Sequence, residues 1–439
     1  MKYPLNYPEF PDYRTRIFHL MEYVRLKYEY GADREELKAL LNESEKYLEA
    51  LTEKVLALKD DPELTAREPD NLDEIRALRP EGPRKMWKHF DEEKYAERLK
   101  GAFMGRLAGC TLGAPVEFWP MESMKNWAEY IGDDFPPTNY WSKVKNPNEK
   151  RYLISDFVSY TRDGIKGVPV DDDVTYTLLG LLIAEEYGLD FTVEDVGAAW
   201  LKYLPLAYTA EEITLRNLKE GIPAEKAAEK GNPFVQWIGA DIRSDPWGYL
   251  APGYPEKAAE MAYRDASLSH RRNGIYGEMF FSTAIAAAFE TGDPVEALHI
   301  GLTEIPEKCM LAEDVRWALK EGAKINNYLD ARKAVQDRFG DMSGVHTNLN
   351  ACLTIFGVMI GREDFTRVIG ETVAMGYDND CTAATAGSLA GAAYGIGNIP
   401  EHWYKPFNNT VLSYMNGVPE FRIDDVLKRF AVQAKKVFE

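Results

Sequence analysis

Residues 375–397 read MGYDNDCTAATAGSLAGAAYGIG. Asp378 and Asp380 stand two positions apart, immediately ahead of a run of Ala, Gly, Ser and Thr. Thr382 to Tyr394 carries no Pro and no charge, which predicts a buried helix. Gly387, Gly391 and Gly395 recur at four-residue spacing, so they share one ridge along which a second backbone can approach closely. A lone Asp before a helix is ordinarily an N-cap that satisfies an orphan amide and favours the macrodipole. Two carboxylates on a short loop beside so tightly packed a helix point to a hard-cation site, provided a second acidic cluster joins them.

That cluster is Asp171, Asp172 and Asp173, in VPVDDDVTYTLLGLLIAEEYG. Pro169 and its β-branched neighbours make the approach extended, and a helix is expected from about Val174. Three consecutive carboxylates exceed what a cap requires and repel one another unless a cation lies between them. Together with Asp378 and Asp380 they offer all-oxygen ligation with no His or thiolate pattern, favouring Mg²⁺, Mn²⁺ or Ca²⁺ over Zn²⁺ or Cu²⁺. A further acid, Glu117, follows a glycine-spaced segment in GRLAGCTLGAPVEFWP. Spacing alone permits a helix-end Glu paired with a basic neighbour. The other reading is an acid beside a metal site that orients water or holds a substrate hydroxyl.

Tyr95 to Leu112 reads as a helix leading into that segment, with Gly101, Gly105, Gly109 and Gly113 again four apart. The two glycine ridges are expected to cross in close contact, joining segments remote in sequence into one core. Residues 91–439 are therefore expected to form a single domain, although the length alone would allow more. Helical periodicity recurs over Val174–Tyr187, Val193–Leu201, Glu256–Ser267, Tyr276–Thr291, Ala312–Asn327, Asn348–Ile360, Asp364–Met375 and Ile423–Val437. Only Tyr152–Tyr160 alternates as a strand would. The fold class is all-α.

Residues 1–90 differ. Tyr13–Tyr30 and Arg34–Leu58 read as two charged helices joined at Gly31, and Asp60–Pro83 as a Pro- and acid-rich linker or extended wrap. This helical-hairpin extension is expected to pack on the main body or on a second subunit, and it carries no motif with evident chemistry.

The formal net charge of −19 sets a field that repels nucleic acid and anionic membranes. Cys110, Cys309, Cys352 and Cys381 show no CxxC or CxxH spacing and read as reduced, buried thiols of an intracellular protein. The N-terminal segment lacks a signal-peptide core, and no apolar run is long enough to span a bilayer. The expectation is a soluble, cytoplasmic protein whose oligomeric state is open.

GRLAGCTLGAPVEF, VDDDVTYTLLGLLIAEEYG and GYDNDCTAATAGSLAGAAYG, in this order and at these separations, resemble the three signature segments of the ADP-ribosylglycohydrolase family. The likeness runs from about Tyr95 to Trp403. It implies a compact all-α domain with two Mg²⁺ ions (Mn²⁺ as an alternative) between the acidic segments, hydrolysing the bond from ADP-ribose C1″ to an acceptor. By that resemblance the metal ligands are Asp171, Asp172, Asp173, Asp378 and Asp380, and the catalytic residues are Glu117, Asp172 and Asp380. WIGADIR, residues 237–243, is similar to the family's diphosphate-contacting loop, with Gly239 allowing close approach. RDASLSHRRNGIYGE, residues 264–278, places His270 at a position similar to the family's substrate-side His; by its own pattern His270 could equally cap a helix end.

The sequence departs from the family pattern in four places. Asp171 stands where Thr is common, Val174 loses a hydroxyl, Cys381 replaces a ligating Thr beside Thr382, and Cys110 replaces an Asp. The function implied is a Mg²⁺-dependent hydrolase of the glycosidic bond of ADP-ribosylated or related ribosyl substrates. The partner would be an ADP-ribose-containing small molecule or an ADP-ribosylated protein. Two other readings stay open: a hydrolase of a nucleoside or free ADP-ribose derivative, and a non-catalytic binding or structural member of the same fold.

Overall fold

Gly101, Gly105 and Gly109 face Gly391, Gly387 and Ala383 across an antiparallel helix crossing, each so close that an added Cβ would collide with the opposing backbone. The crossing lies between helices Glu92–Gly113 and Asn379–Tyr394. With hydrogen in place of side chains, the two backbones pack directly, and dispersion and burial hold them together. In the computed structural model, which describes residues 13–143 and 158–439, this pair is the core. Helices Asn273–Thr291, Thr347–Gly361 and Phe365–Ala374 pack around it, and nearly every residue of the first two is buried. The described residues are otherwise helices and turns, apart from one antiparallel hairpin, Thr410–Leu412 with Glu420–Arg422. The all-α class holds.

The chain divides into two compact units, one ending at Ala66 and the other running from Arg67 to Glu439. In the first, helices Arg14–Glu29 and Arg34–Leu56 are joined through Gly31, whose φ of +86° suits a glycine. Asp33 caps the second helix, accepting from the amides of Glu35 and Glu36 at 3.0 and 2.9 Å. No residue of either helix is buried.

Asp60–Pro83 is not an extended linker. It forms two short helices, Pro62–Arg67 and Leu72–Leu78. Asn71 caps the second through the Asp73 amide at 2.9 Å. Its acids and prolines serve helix starts rather than disorder. Beyond it, Arg84 pairs with the buried Glu304 at 2.7 Å, Arg79 with Glu256 at 2.6 Å, and the Trp87 indole donates to Glu290 at 2.8 Å. Residues 67–90 are thereby fastened to the rest of the second unit, of which they are part.

The structure adds helices at Met121–Ile131, Thr209–Lys219, Pro294–Gly301 and Tyr328–Phe339. Each is short, from 8 to 12 residues. Most of the strand expected at 152–160 lies outside the described residues, and Val158–Tyr160 form a 3-10 turn. No helix among the described residues is long and apolar enough to cross a membrane.

Candidate active site

The glycine crossing sets the site. Its last step places Gly113 against the backbone of Asp380, so the chain leaving the first glycine helix runs past the start of the second. After a 3-10 turn at Ala114–Val116 it reaches Glu117. Phe118 then takes a φ of +57°, Tyr377 a φ of +63°, and the Phe118 amide donates to the Tyr377 carbonyl at 2.9 Å. Left-handed backbone at two aromatic residues is uncommon and is held by its surroundings. The pinch sets Glu117 beside Asp378.

The triple aspartate arrives from the other side. Val168 bridges to Val411 of the hairpin, and Asp171 is extended, its carboxylate accepting from the Asp173 amide at 3.0 Å. Helix Asp172–Tyr187 follows. Arg106, fully buried on the first glycine helix, clamps this start. Its guanidinium donates to the Asp173 carbonyl at 2.8 Å, the Asp173 carboxylate at 3.1 Å and Thr177 Oγ1 at 2.7 Å. It also reaches Asp245 at 2.7 Å and the Ile242 carbonyl at 2.6 Å.

Three overlapping groups of donor atoms result, each within 4.8 Å of one another: Glu117 with Asp378 and Asp380; Asp171 with Asp172 and Asp173; and Asp173 with Asp380 and Cys381. Asp378 Oδ1 and Asp380 Oδ1 are buried and have no hydrogen-bond partner in the protein, a costly state for carboxylates unless something else binds them. Burial, then mutual repulsion, raises Asp171 and Asp378 well above the ordinary carboxylate range. Asp173 is raised by burial against the opposing pull of Arg106. Asp380 is pushed up to about 6 by burial and the Asp172 charge. Glu117 stands open to the cavity, yet the surrounding protein and the charges of Asp380, Asp172 and Asp173 carry its carboxyl to about 9. This donor set fits a divalent cation: oxygen-rich, converging, short of protein partners and destabilised when empty of positive charge.

It is not purely oxygen, as the sequence suggested. The Cys381 thiol donates to Asp173 Oδ2 at 3.0 Å, and the Cys110 thiol lies against Asp171. All four cysteines are buried and free. Thr382, the neighbouring hydroxyl, donates to the Asp378 carbonyl at 3.0 Å in its own helix.

The acids floor a cavity of about 650 Å³. Its walls carry Phe118, Tyr176, Tyr208, Glu211, Trp237 and Tyr414. Glu211 is buried on helix Thr209–Lys219 and pairs with buried Arg243 at 2.9 Å; desolvation lifts its carboxyl to about 7. The Tyr176 and Tyr414 hydroxyls are buried without protein partners. Gly239 lines the cavity, but the place its Cβ would occupy is filled by the Glu211 carboxylate. That glycine is needed for the acid to lie against the loop.

The structure thus brings together Glu117, Asp171, Asp172, Asp173, Asp378 and Asp380, with Gly239 on the wall. His270 is elsewhere. It is completely buried, outside the cavity lining, with Nδ1 2.8 Å from Ser269 Oγ. Burial and the charges of Arg243 and Arg271 hold its pKa well below the usual imidazole value. Sequence reading passed over Arg106, Glu211, Tyr176 and Tyr414. A charged residue inside the Gly101–Gly113 ridge was a usable signal for Arg106. Tyr176, one turn past Asp173 on the same helix, had that placement as a signal; Glu211, on an ordinary amphipathic helix, and Tyr414, in a loop, had none.

A family model described as ADP-ribosylglycohydrolase matches residues 91–435. The chain belongs to the ADP-ribosylglycohydrolase family, whose members are hydrolases acting on ADP-ribose-containing substrates. Among solved structures, an "ADP-ribosylglycohydrolase-related protein complex" aligns with a TM-score of 0.49 at 20% identity, over 79% of this chain and 100% of that one. No curated protein matches.

Proposed function

We propose that the protein is a divalent-cation-dependent hydrolase of the glycosidic bond of ADP-ribosylated or related ribosyl substrates. The observation that carries this reading is the convergence of Glu117, Asp378 and Asp380 on one side and Asp171–Asp173 on the other, with Asp378 Oδ1 and Asp380 Oδ1 buried and unpartnered. Asp171, Asp172, Asp173, Asp378 and Asp380 would hold the cations, Mg²⁺ or Mn²⁺ by their oxygen donors. Bound there, the ions supply Lewis-acid polarisation and a lowered water pKa.

The chain's own groups do the rest. Arg106 fixes Asp173 from behind, keeping its carboxylate aimed at the cluster. Glu117, at the cavity edge, accepts a hydrogen bond from a ribose hydroxyl or from the attacking water. As the anomeric C–O or C–N bond lengthens, positive charge develops on C1″, and the ring of carboxylates around it stabilises that state. Phe118, Tyr208 and Trp237 form a partly exposed aromatic rim suited to planar groups of the substrate.

Every charged side chain lining the cavity, among the described residues, is an acid. This favours, as a second reading, a ribosyl substrate without a diphosphate, because phosphate oxygens would lack a cationic side chain there.

The test is calorimetry with ADP-ribose and with a simple nucleoside, each with and without Mg²⁺, alongside single-turnover release of ADP-ribose from a modified peptide. Wild type should bind ADP-ribose only with the cation, and Asp380→Asn should lose turnover while staying folded. Cation-independent binding together with an active Asp380→Asn enzyme would sink the proposal. Binding of the nucleoside alone would select the second reading.

A further inference from the structure

Cys381 lies where a cation-binding group should not carry a soft atom, and it is built into the site rather than merely near it. It is the third residue of helix Asn379–Tyr394, lines the cavity, and is only 7% exposed. Its Sγ lies within 4.8 Å of carboxylate oxygens of both Asp173 and Asp380. The thiol proton points at Asp173 Oδ2, 3.0 Å away. Independently, Asp380 Oδ1, 96% buried with its residue, has no hydrogen-bond partner. The Asp380 carboxylate, one oxygen short of a partner, and the thiol therefore belong to one donor set drawn from two helices.

We propose that Cys381 is a thiolate ligand completing a cation position with Asp173 and Asp380, so that this position selects a borderline-soft divalent ion such as Zn²⁺, Co²⁺ or Fe²⁺ over Mg²⁺. The proposal rests on the cation-dependent reading above. The hydrogen-bonded proton between Sγ and Asp173 already occupies the space between two donors. On metal binding the S–H bond breaks, a sulfur–metal bond forms, and the proton leaves to solvent, so charge and atoms balance. Burial and the charges of Asp173, Asp378 and Asp380 push the free thiol up, so it is the arriving cation that draws the proton off. A single sulfur in an otherwise oxygen set shifts affinity from hard Mg²⁺ toward later first-row ions. Cys309 and Cys352 differ in kind. Cys309 accepts from the Ala312 amide at 3.4 Å and Cys352 contacts the Asp314 carbonyl at 3.6 Å, both as parts of helix packing.

The experiment is a Co²⁺ titration of the full-length, metal-free protein, followed by absorbance and calorimetry and repeated with Zn²⁺ and Mg²⁺. Wild type should develop a near-ultraviolet sulfur-to-cobalt charge-transfer band that saturates with binding. Cys381→Ser and the bulkier Cys381→Thr should bind Co²⁺ without the band, and Cys110→Ser should keep it. Zn²⁺ over Mg²⁺ selectivity should fall by at least about tenfold in Cys381→Thr, the low end of what even an outer contact contributes to metal affinity. Circular dichroism confirms that each variant is folded, and the threonine variant stands in should serine disturb the core. Co²⁺ binding by wild type without the band, or a band that survives in Cys381→Thr, overturns the ligand assignment and leaves the cation reading standing. Failure of wild type to bind any of the three ions overturns both.

Discussion

Phe118 and Tyr377 are joined by one backbone hydrogen bond, amide to carbonyl at 2.9 Å, and both lie in the left-handed region. Each is the immediate neighbour of a site acid, Glu117 and Asp378. Two uncommon backbone conformations are thereby spent on bringing a carboxylate from one glycine helix against a carboxylate at the start of the other.

Glu117 is the residue whose role turnover can separate from binding. In Glu117→Gln the shape persists but the basicity is gone, and turnover should fall by on the order of 10²–10⁴. ADP-ribose affinity should change far less, because the other acids and the cavity walls remain. Single-turnover kinetics beside calorimetry checks this; turnover within about threefold of wild type would remove Glu117 from the mechanism.

Metal-free protein should lose stability as pH rises. Asp380 is raised from 3.8 to about 6 and Glu117 from 4.5 to about 9. Folded carboxyls of this kind bind protons that the unfolded chain has released, so their contribution is present in acid and lost as pH climbs through the folded values. Glu256 and Glu290, lowered by Arg79 and Lys94, act in the opposite sense only in stronger acid. Thermal melts in EDTA should therefore fall from about pH 4, where the unfolded carboxyls release their protons, up to about pH 9. Saturating Mg²⁺ or Mn²⁺ should flatten that slope, and identical profiles with and without cation would count against the site.

Arg106 is bonded to Asp173, Asp245, Thr177 and the Ile242 carbonyl in a fully buried setting. Arg106→Met would strand two buried carboxylates, costing about 3–5 kcal/mol. Arg106→Lys keeps the charge but not the fork, and should also destabilise. Denaturant unfolding measures both; a loss below about 1 kcal/mol for the methionine variant would contradict the clamp.

Gly105 offers the sharpest packing test. A Cβ there meets the Gly387 carbonyl and the Phe365 ring, whereas one at Gly397 meets nothing within 4 Å. Gly105→Ala should cost about 1–3 kcal/mol or prevent folding, and Gly397→Ala should be near neutral. Paired thermal melts decide it, and equal melting temperatures would refute the backbone-to-backbone contact.

Much of this was legible in the chain itself. Four-residue glycine spacing at 101–113 and 387–395 is a local property of a helix surface, so the crossing could be inferred without coordinates. Runs of aspartate at 171–173 and the pair at 378 and 380 likewise announce their chemistry, since adjacent carboxylates repel unless something positive joins them. Other features depend on what a residue meets across the fold, which no local pattern encodes. Glu211 reads as a surface acid until Arg243 and Gly239 are seen beside it. His270, which the family pattern placed beside the substrate, is buried beside Ser269 and does not line the cavity. Cys381 is an unremarkable helical thiol in sequence. Only the approach of Asp173 from another helix gives it a partner and the ligand role proposed above. Periodicity is written along one element, but hydrogen bonding and burial are settled between elements, and there the tertiary structure alone decided.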